Sequence, residues 1–491
     1  MDIPAAAETT LTDDVSPPHP HPHVLIFPLP LQGPVNSMLK LAEILCLRHI
    51  RVTFLNTLYV HRRLLRFTDV DPRFAKYPLF RFATVPDGLP EDSPRTADQI
   101  LELIQSIEET TSPLFRNMVL AAGASDHPVT CLVVDGIFSF AVDVAEDAGV
   151  QLLYFDTISP CGLWSYMCVP KLIEAGELPF PGSDLDSPIR SAPGFDGIIR
   201  RRDLPNFCRA ENIHDPTIQL VLKEDQHLPK AQGLIFNTFD HLDGPVISHF
   251  RAVCPNIYAV GPLHSHLRAR LQSSLPSISN SLWEEDMSCM DWLDRQPERS
   301  VVYVSIGSLA IISRDQLMEL WHGLVNSGSR FLWVQRPGSV TPCASGSCND
   351  APEGLVEETK EKGCIVQWAP QERVLGHPSV GGFLTHSGWN STLESIVEGV
   401  PMMCWPYFVD QQVNSRFVQE VWRLGVDMKD VYDRGSIERM IREVMEDRKE
   451  EFLKRASEMA ALARQSVEEQ SGTSYRDMDR LIEDIRLMTR K

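Results

Sequence analysis

The sequence predicts two doubly wound α/β domains facing each other across a cleft, and three observations carry the prediction. Apolar runs of strand length alternate with apolar residues at helical spacing, the pattern of parallel strands covered by helices. The alternation occurs in two series, one opening at Val24 and the other at Val301. Between them lies a polar stretch, roughly His264–Ser281, rich in Ser, Arg and His, that reads as an interdomain linker.

The elements follow in order. Residues 1–22 are polar and Pro-rich and read as a flexible tail; the prolines between His19, His21 and His23 offer no rigid metal cage. Val24-Leu25-Ile26-Phe27 is a buried-strand signal closed by Pro28 and Pro30. After a loop at Gln32–Asn36, Ser37 caps a helix whose Met38, Leu41, Ala42 and Leu45 share one face. Arg51–Leu55 is the next strand, completing the opening of a parallel sheet. Cys131–Val134 repeats the signal and ends at Asp135, and a helix follows through Val142 and Ala145. Pro and Gly thicken between Leu178 and Gly197, which reads as surface loops rather than core.

The second series gives strand Val301–Ser305, helix Gln316–Val325, and strands Phe331–Gln335, Cys364–Gln367 and Gly382–Thr385. Helix Trp389–Glu398, strand Pro401–Trp405 and helix Val413–Trp422 complete it. The boundaries that follow are a tail at 1–22, an N-terminal domain at 23–255 and a linker at 256–290. A C-terminal domain covers 291–470, and a helix at 471–491 packs back on the N-terminal domain.

The 491 residues, with 43% hydrophobic and 23% charged, have ordinary globular composition. With 46 Lys+Arg against 66 Asp+Glu the net charge is −20, which argues against nucleic acid or an anionic membrane as main partner. The N-terminus, through Asp13 and Asp14, lacks the basic start and apolar core of a secretory signal. The longest apolar runs, such as Val301–Ile312, fall short of the roughly 18 residues a membrane span needs. Eleven cysteines form no Cys-x-x-Cys pair, and only Cys343 and Cys348 approach a pairing pattern. Free thiols in the cytoplasm are the expectation.

The segment Trp368–Gln411, WAPQERVLGHPSVGGFLTHSGWNSTLESIVEGVPMMCWPYFVDQ, is the richest in chemistry. A strand delivers His386 to its carboxyl end, and Ser387-Gly388-Trp389-Asn390-Ser391 opens a helix stopped by Gly399 and Pro401. Free N–H groups at a helix start suit a phosphate, and His386 can donate to the same group. Glu394, Asp410 and Gln411 suit sugar hydroxyls, and Trp368 suits a nucleobase. Singly each feature has an ordinary structural explanation; a packed Trp, a helix cap, a small-residue turn. Together, at the carboxyl ends of successive strands, they outweigh it.

This segment resembles the signature box of plant UDP-dependent glycosyltransferases, family 1, of the GT-B fold. The resemblance extends to PLPLQG near the start, LVVDG at Asp135, YAVGPL at Tyr258 and CMDWLDRQPERSVVYVSIGS ending at Ser308, so it covers essentially the whole ordered chain. It implies an N-terminal acceptor-binding domain and a C-terminal UDP-sugar-binding domain. It implies that Trp368 stacks on uracil, Ala369 and Gln371 contact base or ribose, and Glu394 holds the ribose hydroxyls. His386, Asn390, Ser391 and Ser308, with Gly388 in the turn, would hold the diphosphate; Trp389, Asp410 and Gln411 would contact the sugar. Gln411 closing the box implies UDP-glucose. Ser387 stands where the family usually has Cys.

The family's Q-G-H motif, whose His is the general base, reads here Gln32-Gly33-Pro34, with Ser37 at the later Pro of the motif. Neither His23 nor His49 is placed to substitute. Asp135 matches the Asp that normally orients the missing His. Three readings stay open: Asp135 is the base, directly or through a water; the acceptor is acidic enough to need little help; or the protein only binds a sugar nucleotide. The variant Q-G-P-V-N-S resembles the branch of 7-deoxyloganetic acid glucosyltransferases and relatives acting on small terpenoids. The expected activity is inverting glucosyl transfer from UDP-glucose to a hydroxyl or carboxyl of a small terpenoid-like metabolite, with no metal or other cofactor. The alternatives are a non-catalytic or weakly active sugar-nucleotide-binding protein, or a transferase using a different UDP-sugar.

Two Asp-x-Asp triplets, Asp69–Asp71 and Asp184–Asp186, read as solvated turns, and Arg200-Arg201-Arg202 as a solvated basic turn rather than an attractor for an anionic acceptor. No Gly-x-Gly-x-x-Gly follows a predicted strand, against an NAD-linked oxidoreductase, and no Gly-x-Ser-x-Gly supports an α/β-hydrolase.

Overall fold

Seven parallel strands form the first sheet: β1 (His23–Phe27), β2 (Arg51–Thr57), β3 (Phe80–Val85), β4 (Cys131–Asp135), β5 (Gln151–Asp156), β6 (Gly233–Phe236) and β7 (Ile257–Ala259), in the order 3-2-1-4-5-6-7. Six more form the second: β8 (Val301–Ser305), β9 (Arg330–Val334), β10 (Gly363–Val366), β11 (Val380–Thr385), β12 (Met402–Cys404) and β13 (Gly425–Asp427), in the order 10-9-8-11-12-13. The computed structural model describes residues 22–341, 359 and 361–488, apart from 94, 124 and 272–278. The tail at 1–21 and the pair Cys343 and Cys348 lie outside the described residues.

The continuous apolar runs are explained by burial on both faces. In β1, Val24 and Ile26 join one core cluster with the helix Gln32–Leu47, while Leu25 and Phe27 join another. In β8, Val302 and Val304 face one way, and Val301 and Tyr303 the other. One cluster holds residues of both sheets, so the apolar core runs from one to the other. The helix Thr473–Leu487 lies on the first sheet: Met478, Leu481, Ile482 and Ile485 pack with Val24 and Ile26, and Asp477 accepts from the Ala259 N–H at 2.9 Å.

Several local expectations are corrected. The first helix begins at Gln32, not after Ser37; Ser37 sits inside it and donates to the Gly33 and Pro34 carbonyls. Pro34 is allowed there because a first-turn residue has no intrahelical acceptor for an N–H. His23 belongs to β1, buried between the His127 carbonyl and the Thr53 hydroxyl, and burial lowers its pKa to about 4. The Leu178–Gly197 stretch is irregular, yet Ile189, Ala192 and Phe195 are core residues, Phe195 edge-on to Phe417. The polar stretch read as a linker opens as a buried helix, Leu263–Leu271, on which His264 and His266 are desolvated with pKa values lowered to about 3. The segment 256–290 also contains β7, which pairs with β6. Among the described residues no helix is long and apolar enough to cross a membrane.

Candidate active site

Each sheet has one place where the strand order reverses, and a crevice opens there at the carboxyl ends. In the first sheet it lies between β1 and β4, in the second between β8 and β11. The two crevices face a common cavity of about 320 Å³. Every site residue named from the sequence lines it: Pro34 and Asp135 on one side, and Ser308, Trp368, Ala369, Gln371, His386, Gly388, Trp389, Asn390, Ser391, Glu394, Asp410 and Gln411 on the other.

On the second-sheet side, Gly388 caps the helix Trp389–Glu398, and the first intrahelical bond runs from Thr392 N–H to the Gly388 carbonyl. The N–H groups of residues 389–391 are therefore free at the positive end of the helix dipole. The His386 ring lies between two glycines: a Cβ at Gly307 would come to 2.4 Å from its Nε2, and one at Gly388 to 2.5 Å. Burial lowers its pKa to about 4, so the ring is neutral and offers one N–H. Gln371 accepts from the Tyr303 hydroxyl at 3.2 Å and donates to Ser391 Oγ and Glu394 Oε2 at 2.9 and 2.7 Å. Burial raises the Glu394 pKa to about 7.

Gln411 Oε1 accepts from the Tyr407 and Phe408 N–H groups. Asp410 accepts from Ser159 N–H and Asn414 Nδ2, and burial raises its pKa to about 6. Two assigned side chains are already engaged: Trp389 Nε1 donates to the Asn237 carbonyl at 2.9 Å, and Asn390 Nδ2 to the Gly33 carbonyl at 2.9 Å. What these two present to the cavity is backbone N–H.

On the first-sheet side, β4 ends with Asp135 in the crevice. Its Oδ2 accepts from Thr157 Oγ1 at 3.0 Å and Leu29 N–H at 3.4 Å, and its Oδ1 from Ile137 N–H at 3.3 Å. Burial pushes its pKa up to about 6 against these three bonds. Pro34 offers no group that titrates. The walls beside Asp135 are apolar, including Leu29, Ile100, Ile104, Ile137, Ile158 and Phe207.

Sequence reasoning missed several neighbours. Trp283 lies 5.9 Å from Trp368, ring to ring, and the Arg63 guanidinium sits over the Trp283 ring at 4.4 Å from its centroid. Asp156 and Glu224 also line the cavity. Asp156 closes the apolar run Leu152–Phe155 as Asp135 closes its own, a signal that could have found it; Glu224, on a polar-looking helix, carries none. Arg200 and Arg202 pair with Asp186, and none of the three arginines lines the cavity. Among the described residues no group of three or more His, Cys, Asp or Glu is placed to hold a metal ion.

Comparison with known proteins places this geometry. Residues 277–460 match the family model described as UDP-glucoronosyl and UDP-glucosyl transferase. A 7-deoxyloganetic acid glucosyl transferase of Catharanthus roseus is 50% identical over 477 residues, 96% of this chain and 98% of that protein. A 7-deoxyloganetin glucosyltransferase of Gardenia jasminoides is 38% identical, covering 93% of this chain and 96% of its own length. Among solved structures, Os79 from O. sativa in complex with UDP superposes with a TM-score of 0.78 at 28% identity, covering 94% of this chain and 100% of that one.

Proposed function

Because this chain belongs to the UDP-glucosyl and UDP-glucuronosyl transferase family, with the GT-B fold, and is itself a UDP-glycosyltransferase, we propose that it transfers glucose from UDP-glucose to a hydroxyl of a compact iridoid terpenoid. The relatives at 50% and 38% identity are named for such acceptors. The observation that carries the reading is the convergence of the whole donor segment and Asp135 on one cavity.

The division of labour follows the two crevices. The 291–470 domain holds the donor: Trp368 stacks on uracil, Ala369 and Gln371 meet base or ribose, and Glu394 takes the ribose hydroxyls. Ser308, His386 and the N–H groups of Trp389, Asn390 and Ser391 hold the diphosphate. Asp410 and the free amide of Gln411 hold glucose. The 23–255 domain holds the acceptor, with its hydroxyl at Asp135. The acceptor oxygen bonds to the anomeric carbon as the bond from that carbon to UDP breaks, inverting the configuration, and the hydroxyl proton passes to Asp135. Charge growing on UDP is met by preorganised N–H donors, which need no reorganisation as the bond breaks. The incoming diphosphate also raises the proton affinity of His386 and so favours the imidazolium, whose N–H is the stronger donor. No metal or cofactor enters this scheme. The nine described cysteines, all unpaired, fit a reducing compartment such as the cytoplasm.

Incubation with UDP-glucose and 7-deoxyloganetic acid, following UDP release and product mass, tests the reading. A hexose adduct formed in step with UDP is expected; no acceptor-dependent UDP with any compact terpenoid would refute it. A second test bears on the donor side. Gly388→Ala is expected to raise KM for UDP-glucose about tenfold, the loss of one hydrogen bond to a charged group, because the new methyl displaces the His386 ring. Acceptor KM should be unchanged in the same steady-state assay.

A further inference from the structure

Two buried acids in the acceptor half of the cavity have no part in the transfer scheme. Asp156 ends β5, next to β4, and Glu224 lies on the helix Pro216–His227. Thr217, Leu220, Val221 and Glu224 form one cleft-facing stripe on that helix, at i, i+3, i+4 and i+7, so Glu224 is the carboxyl on an otherwise mostly apolar face. Asp156 folds over Gly136, where a Cβ would come to 2.6 Å from its Oδ2. Both residues are 3% exposed, and Asp156 Oδ2 and Glu224 Oε2 take no hydrogen-bond partner.

Three carboxyl groups in one apolar chamber cannot all ionise. Burial, reinforced by the neighbouring acids, holds Asp156 well above the usual carboxylate range and lifts Glu224 to about 8, against about 6 for Asp135. At neutral pH Asp135 is the anion, and the other two present O–H donors. The groups acting on Glu224 are Asp135, Asp156 and, on its own helix, Asp225; the Tyr154 and Tyr166 hydroxyls feel its charge in turn, and Lys223 is turned to Glu108 at 2.7 Å. No Lys or Arg lines the cavity among the described residues.

We propose that Asp156 and Glu224 are specificity-determining residues that, as neutral acids, donate hydrogen bonds to a carboxyl group of the acceptor, so that the enzyme selects hydroxy acids over their esters. The proposal rests on the glucosyl-transfer reading for the placing of the acceptor hydroxyl at Asp135. Two donors call for two oxygens, and a carboxylate supplies them. Bonds to an ionised acceptor are roughly twice as strong as neutral ones. The acceptor's negative charge also pushes both proton affinities higher, so binding and protonation reinforce each other. An ester offers one good acceptor oxygen and no charge.

The test is isothermal titration of UDP-loaded enzyme with 7-deoxyloganetic acid and with its methyl ester, at pH 6.5 and pH 9. At pH 6.5 the wild type is expected to bind the acid about tenfold more tightly than the ester. At pH 9, where Glu224 is ionised, that preference should vanish. Glu224→Gln keeps a donor that does not titrate, so its affinity for the acid should stay near the wild-type pH 6.5 value at both pH values. Glu224→Ala and Asp156→Ala should each lose about tenfold for the acid and little for the ester. Equal wild-type binding of acid and ester, or wild-type acid affinity in both folded alanine variants, would overturn the proposal. Binding needs no turnover, so intact acid selection without glucose transfer would refute the function above and leave this inference standing.

Discussion

Asp135→Asn is expected to lower kcat about a hundredfold with UDP-glucose and a hydroxyl acceptor, within the usual 10²–10⁴ of general-base catalysis and roughly 3–5 kcal/mol of barrier. The neutral amide cannot take the acceptor proton, yet its oxygen, placed at the Oδ2 position, still receives the Thr157 hydroxyl and the Leu29 N–H, so the crevice keeps its shape. KM for UDP-glucose should be unchanged, because the residues proposed to hold the donor line the other side of the cavity. The pH profile separates a base from a spectator. With its pKa near 6, Asp135 is protonated and inactive at low pH, so wild-type kcat/KM should climb through about pH 6 and level off above it. The Asn variant should show no such limb. An Asn variant with wild-type kcat would return the base to the acceptor's own acidity or to another group. Stability should not explain the loss. A buried carboxyl whose folded pKa exceeds its unfolded value destabilises the fold once ionised, above about pH 6, so Asn is expected to match or exceed wild-type stability at neutral pH.

This residue shows what was legible beforehand. Asp135 was legible because an apolar run ends on it, and a charge closing a strand sits at a carboxyl edge, where α/β folds place ligands. The donor segment was legible for the same reason, its strand, turn and helix being contiguous. The two strand series were legible because strands covered on both faces must be apolar throughout. Glu224 was not, since the helix TIQLVLKEDQH reads as a solvated face until a distant segment covers it. The helix Leu263–Leu271 misled in the same way. Its His264 and His266 look like linker polarity, but both are buried and held neutral, which sequence cannot report. Trp283, in the segment between β7 and β8, is brought beside Trp368 by the fold, 85 residues away in the sequence. What sequence pattern conveys is local periodicity and the end of a run; what it hides is which distant element covers a polar side chain.

Glu372→Gln is expected to destabilise the protein by about 3–5 kcal/mol, the cost of leaving a buried charge without its partner. Lys40, on the first helix of the first sheet, is 4% exposed and donates to Glu372 Oε1 at 2.5 Å across the interface between the two halves. Burial alone would raise the Glu372 pKa, but the Lys40 and Arg268 cations outweigh it and hold the carboxyl below its usual range. A depressed carboxylate contributes stability that is present at neutral pH and lost as pH falls below the ordinary Glu range. The Gln variant should therefore melt well below wild type at pH 7.5, with the gap closing in acid. Lys40→Met with Glu372→Leu together should recover most of the loss, since an apolar pair of similar volume carries no desolvation cost. A wild-type melting temperature for Glu372→Gln would mean the pair contributes nothing. The contact also bears on the donor site. Glu372 adjoins Gln371, which grips Glu394, and its negative charge helps hold the Glu394 proton while Lys40 loosens it. The doubly apolar variant keeps the fold but removes both charges, so any change it makes in KM for UDP-glucose reads the electrostatic coupling of the interface to Glu394, separately from stability.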